Sequence, residues 1–121
     1  MFWFLLAVAE PSLDAEIEVC QVASEYRPLT LCLAELSFER ADAKLNTQWA
    51  ITFPYVKAKK GPEAARKLRL EQRNWIKRRD RECEAIAAPT PTPQQGRNLM
   101  SCMAELTDQR TAELRGMVGK H

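Results

Sequence analysis

Four cysteines, Cys20, Cys32, Cys83 and Cys102, are the residues of this chain with the most to do chemically, and their spacing decides what that chemistry is. A zinc site needs close pairs of Cys or His. Here the cysteines are separated by eleven, fifty and eighteen residues, and His121 is the only histidine. An even number of cysteines in a short chain points instead to two disulfides and an oxidising compartment. Catalysis has little to work with. There is no internal histidine to act as base, the thiols are taken up as disulfides, and only four glycines are present, with no phosphate-cradling loop among them. The carboxylates Glu35 and Glu39 sit at i, i+4, a spacing routine on solvated helix faces. The chain therefore reads as a non-enzyme that binds no metal and no cofactor.

The elements that must position these residues follow from periodicity. With 121 residues, 45% hydrophobic and 28% charged, the sequence suits one domain, placed at residues 10–121. Residues 1–9 are apolar and end in Ala7-Val8-Ala9, the small-x-small form of a signal-peptidase site, and so read as a shortened signal peptide. Nothing else approaches the roughly 18 apolar residues of a membrane span. The expected location is periplasmic or secreted. The expected fold is all-α, an antiparallel helical hairpin plus a third helix, stapled by two disulfides. The first hairpin helix runs from Leu29 or Thr30 to Phe53, where Pro54 should end or kink it, and buries Phe38, Leu45, Trp49 and Phe53. The second starts at Pro62, runs to about Ala88 and buries Leu68, Trp75, Ile76, Cys83 and Ile86. The third spans about Arg97–Met117. A shorter helix from Pro11 to Ala23 precedes them.

A hairpin folded at Lys60 and Gly61 places opposite each other residues whose numbers sum to about 121. Phe38 then faces Cys83, Leu45 faces Ile76, Trp49 faces Gln72 and Phe53 faces Leu68. Asp42 faces Arg79, which predicts an ion pair at the seam that fixes helix register. The same register leaves Cys32 about 9 Å along the helix from the point opposite Cys83, at 1.5 Å per residue. That exceeds the usual Cα limit of about 7 Å for a disulfide. Of the three connectivities open to four cysteines, Cys20–Cys32 with Cys83–Cys102 is favoured.

Three stretches carry a family resemblance: Asp42-x-x-Leu45-Asn46-x-x-Trp49; Leu68-x-x-x-Gln72-Arg73-x-Trp75-Ile76-x-x-Arg79-Asp80-x-x-Cys83; and Cys102 with Thr107, Arg110 and Leu114. Together, over about residues 20–115, they resemble the LprI-type lysozyme inhibitor family. Trp49 stands where that family usually has Tyr, and Pro54 interrupts a helix that is normally continuous. The resemblance implies a small exported helical protein of the bacterial envelope whose partner is lysozyme. It also implies that the later two cysteines lie close together, and that Asp42, Leu45, Asn46, Trp49, Gln72, Trp75, Arg79, Asp80 and Arg110 are family-motif residues with structural roles.

Charge divides sharply along the chain. Residues 10–56 hold eight acids against three bases, residues 57–81 eleven bases against three acids, and residues 82–121 five acids against four bases. Animal lysozymes are basic and work with paired carboxylates in a sugar cleft, so an inhibitor should offer acidic or hydrogen-bonding groups. The acidic portion can do so, and Trp75 is assigned to the core instead. The alternative is a non-catalytic envelope module whose basic helix, including Arg66, Lys67, Arg69, Arg73, Lys77, Arg78 and Arg81, binds anionic lipid or polysaccharide. Nucleic acid is not expected as a partner of an exported chain.

Overall fold

The computed structural model describes residues 12–23, 28–92 and 94–119. The apolar start at residues 1–9 and His121 lie outside the described residues. Four helices follow in chain order: α1 Leu13–Ala23, α2 Leu29–Lys60, α3 Pro62–Ala87 and α4 Gln94–Gly116. The fold is all-α, and among the described residues there is no strand.

Local chemistry sets the helix ends. Ser12 caps α1, its Oγ accepting the Ala15 amide at 3.1 Å, with Asp14 and Glu16 in the first turn. α2 and α3 are joined by Gly61 alone. Its φ of 96° lies where a side chain is strained, its amide donates to the Lys57 carbonyl at 3.0 Å, and Pro62 preorganises the first turn of α3.

Pro54 does not end α2, contrary to the sequence expectation; the helix continues for six more residues to Lys60. Proline removes one amide donor, but Pro54 and Ala50, whose carbonyl loses its partner, both lie on the exposed side. On the opposite side, Thr52 and Val56 are buried and hold the helix across the gap.

α2 and α4 run parallel and make the most extensive contact in the molecule, while α3 runs antiparallel to both. Near their starts, Leu31 meets Gly96 so closely that a Cβ on Gly96 would sit 3.2 Å from the Leu31 side chain. Near their ends, Thr52 Oγ1 donates to the Leu114 carbonyl at 2.9 Å and accepts from Gln48 Nε2 at 3.1 Å. The apolar centre is Leu45, Val56, Leu68, Trp75 and Leu114, with Trp49, Phe53, Ala64 and Leu106 packed against it. Disulfides join Cys20 to Cys32 and Cys83 to Cys102, with Cα separations of 5.6 and 5.5 Å. Among the described helices α1 packs on α2, with the first of these disulfides and the Arg40–Glu16 ion pair linking the two.

Two residues of the expected α3 stripe are not in the core. Ile76 is 38% exposed and Ile86 64%. The buried face of α3 is Ala65, Leu68, Gln72, Trp75, Arg79, Cys83 and Ala87. These are spaced by steps of three or four, a seam between two partner helices, whereas a stripe drawn for one partner leaned toward its flank.

Candidate functional site

The steps of three and four that bury Leu68 and Trp75 also carry Gln72 and Arg79 inward, so α3 brings polar groups into the bundle. α4 meets them with Thr107, Arg110 and Thr111. Arg110 Nε donates to Gln72 Oε1 at 2.8 Å, and Arg79 Nη1 donates to Thr107 Oγ1 at 3.2 Å. Thr111 Oγ1 donates to the Thr107 carbonyl at 3.0 Å. Both guanidinium groups lie over the Trp75 ring, Arg79 at 5.3 Å and Arg110 at 5.9 Å from its centre. Such contacts are strongest where water is excluded. Each arginine also reaches a more exposed carboxylate on its own helix: Arg79 to Asp80 at 2.8 Å, Arg110 to Glu113 at 3.0 Å. Arg110 Nη2 is buried with no hydrogen-bond partner among the described residues.

The ion pair expected between Asp42 and Arg79 does not form. Arg79 is held by Asp80, Thr107, Trp75 and the Phe38 ring, 5.2 Å from its guanidinium carbon. The expectation treated α2 and α3 as a pair, and α4 supplies the partner that it lacked. Phe38 accordingly lies against Arg79, one turn from the Cys83 it was expected to face. The register otherwise survives, since Arg69 lies 4.5 Å over Phe53 where the sum rule placed Leu68.

Asp42 and Arg79 do share a surface feature. A groove of about 280 Å³ between α2 and α3 is lined by Asp42, Leu45, Asn46, Trp49, Gln72 and Arg79 of the motif, together with Arg69, Arg73 and Ile76. Of the motif residues, Trp75 is buried, Asp80 is half-buried and Arg110 is buried on the α4 side. The motif therefore splits into an internal Trp75–Arg79–Arg110–Gln72 cluster and a groove-facing set.

A second groove, of about 330 Å³, lies across α2 between α1 and α2 and is lined by Glu16, Val19, Leu36, Glu39 and Arg40. Beside it α1 exposes Leu13, Val19 and Val22 to solvent. Asp14, Glu18 and Glu39 are exposed at this acidic end. Periodicity gave no signal for this groove, because α1 is short and its apolar residues are spread around it. Among the described residues, no group of three or more His, Cys, Asp or Glu side chains is arranged to hold a metal ion. No helix of the described residues is long and apolar enough to cross a membrane.

Two disulfides, a parallel α2/α4 pair crossed by α3 and a polar seam around one tryptophan define a small disulfide-stapled helical bundle. The sequence model of the family described as lysozyme inhibitor LprI matches residues 20–114, and the chain belongs to this family. Comparison with curated proteins and with solved structures gives no match.

Proposed function

We propose that the chain is an exported protein, periplasmic or secreted, that binds lysozyme and inhibits it through its acidic end. Membership of the lysozyme inhibitor family over residues 20–114 is the observation that carries this reading. The two disulfides support the compartment, since such bonds persist where the surroundings are oxidising. The surface is chosen by charge and apolar exposure. A basic enzyme is met best by an acidic surface, and the exposed Asp14, Glu18 and Glu39 beside the exposed Leu13, Val19 and Val22 supply one with apolar contacts.

Turbidity of a peptidoglycan suspension treated with animal and phage-type lysozymes tests the reading. Inhibition at near-stoichiometric ratios is the expected result. Unchanged lysis in molar excess of the protein rejects it. A second reading rests on the exposed bases Lys57, Lys59, Lys60, Lys67, Arg69, Arg73, Lys77, Arg78 and Arg81, which line the end of α2 and much of α3. In that reading the chain is an envelope module holding anionic lipid or polysaccharide, and it should be retained on heparin and released by salt.

A further inference from the structure

α2 buries one face against α3 and α4, and only the first half of its outer face is covered. There Cys32, Leu36 and Arg40 hold α1, through the Cys20–Cys32 disulfide, the Arg40–Glu16 ion pair and the groove that Leu36 helps to line. Steps of three and four onward from Arg40 reach Ala43, Thr47, Ala50, Ile51, Pro54 and Ala58, so these residues continue the same face. All six are exposed, Ile51 by 51%. α1 stops short of them. It runs antiparallel to α2, since going back along α1 from Cys20 to Glu16 goes forward along α2 from Cys32 to Arg40, and its first residue, Leu13, therefore falls near Ala43.

The solvent side of a surface helix ordinarily carries charge. α3 obeys this, exposing Arg66, Lys67, Arg73, Lys77 and Arg81. In α2 the stretch from Ala43 to Ala58 holds only Lys44 and Lys57, one near each end, in a chain of which 28% is charged. Loss of charge at the centre of a patch is what separates an interface core from ordinary surface. Charge at the two ends then selects the occupant. At one end α1 presents the exposed Asp14 and Glu18; at the other stand the exposed Lys57, Lys59 and Lys60, about 22 Å away at 1.5 Å per residue. A fitting partner is uncharged in the middle, basic at the first end and acidic at the second. A second copy of this chain, turned end for end about Ile51, meets all three conditions. Its lysines reach Asp14 and Glu18 while its own α1 reaches Lys57, Lys59 and Lys60. Lys44 and Lys57 lie on opposite edges of the face and do not meet across the two-fold axis. The carbonyl end of each α2 also approaches the amide end of the other copy's α1, which aligns their dipoles favourably. Small side chains at Ala43, Thr47, Ala50 and Ala58 let the two helix axes approach to about 8 Å.

We propose that this face of α2 is the interface of a two-fold dimer. The outer faces of two α2 helices pack antiparallel about Ile51, and the acidic start of each α1 meets the lysines that end the other copy's α2. One helix pair makes a modest interface, so the association is reversible rather than obligate. It does not depend on lysozyme binding.

Sedimentation equilibrium over a range of concentrations tests it. The mass should rise from one chain to two and no further, and salt should weaken the association by screening the end contacts. Ile51→Glu should weaken it about tenfold or more, because two like charges then meet at the two-fold axis. Leu70→Glu, which places the same charge at a comparably exposed apolar residue of α3, should leave it unchanged. Asp14→Lys with Glu18→Lys should weaken it, and adding Lys57→Glu with Lys60→Glu to the same chain should restore it, with far-ultraviolet circular dichroism the same throughout. The result should also be the same with and without residues 1–9. A single-chain mass at every concentration, growth beyond two chains, equal losses in Ile51→Glu and Leu70→Glu, or exchanged charges that restore nothing would each overturn the proposal. So would association that needs residues 1–9, which would assign it to the apolar start of the chain.

Discussion

The two grooves beside α2 are built on opposite terms. The α1/α2 groove is acidic and apolar, and a disulfide and an ion pair are among the links that hold α1 against α2. The α2/α3 groove is polar and net basic, and its floor is the flank of a core shared by three helices. The first can thus be removed without dismantling the protein, and the second cannot. The acidic surface is an attachment, while the basic surface is a consequence of the fold.

The largest expected effect tests the second half of that contrast. Trp75→Ala should cost about 3 to 5 kcal/mol, because it opens a large cavity and strips two guanidinium groups of their aromatic partner. Chemical denaturation measures it, and a loss under about 1 kcal/mol would show that the polar seam does not rest on this ring. Next, replacing Cys20 and Cys32 together by Ser releases a closure worth on the order of 3 kcal/mol by chain entropy. Its effect should be local, with α1 amides exchanging freely, lysozyme inhibition lost and the unfolding of the α2–α4 bundle little changed. Loss of bundle cooperativity in that variant would break the comparison. Glu39→Lys should weaken inhibition about tenfold, or about 1.4 kcal/mol, by setting a positive charge toward a basic partner; inhibition constants read it, and no change would move the contact surface elsewhere. Smallest, Pro54→Ala should raise stability by about 1 kcal/mol by restoring an amide bond on the exposed side of α2. A thermal melt lower than that of the unsubstituted protein would show that Pro54 is fitted to a bend the packing needs.

Apart from the end of α2, which Pro54 does not set, the helices, both disulfide pairings and the burial of Trp75 were legible in the sequence because each depends on local chemistry. Pro62 behind Gly61 marks a helix start, and cysteines that are neighbours in the chain meet across one turn. What was not legible depends on α4. Its buried face is Ala104, Thr107, Arg110, Thr111 and Leu114, so a scan for apolar periodicity gives little weight to the helix that α2 contacts most. Without α4, Arg79 lacks Thr107 and Arg110 lacks Gln72. Asp42 is then the acid that a two-helix register sets opposite Arg79, and Ile76 and Ile86 become the natural partners of α2. The groove-facing role of Asp42, Asn46 and Gln72 was hidden for the same reason, since a two-helix register sees such residues only as cross-links.

The disulfides also bear on how the chain matures. Each links a cysteine to the next one in sequence, over separations of 12 and 19 residues, and none connects α2 directly to α3 or α4. When the chain emerges amino end first into an oxidising space, Cys20 meets Cys32 before Cys83 has appeared, and Cys83 next meets only Cys102. First encounter and native pairing coincide, so an oxidant alone completes the covalent structure without the slow reshuffling that mispaired thiols require.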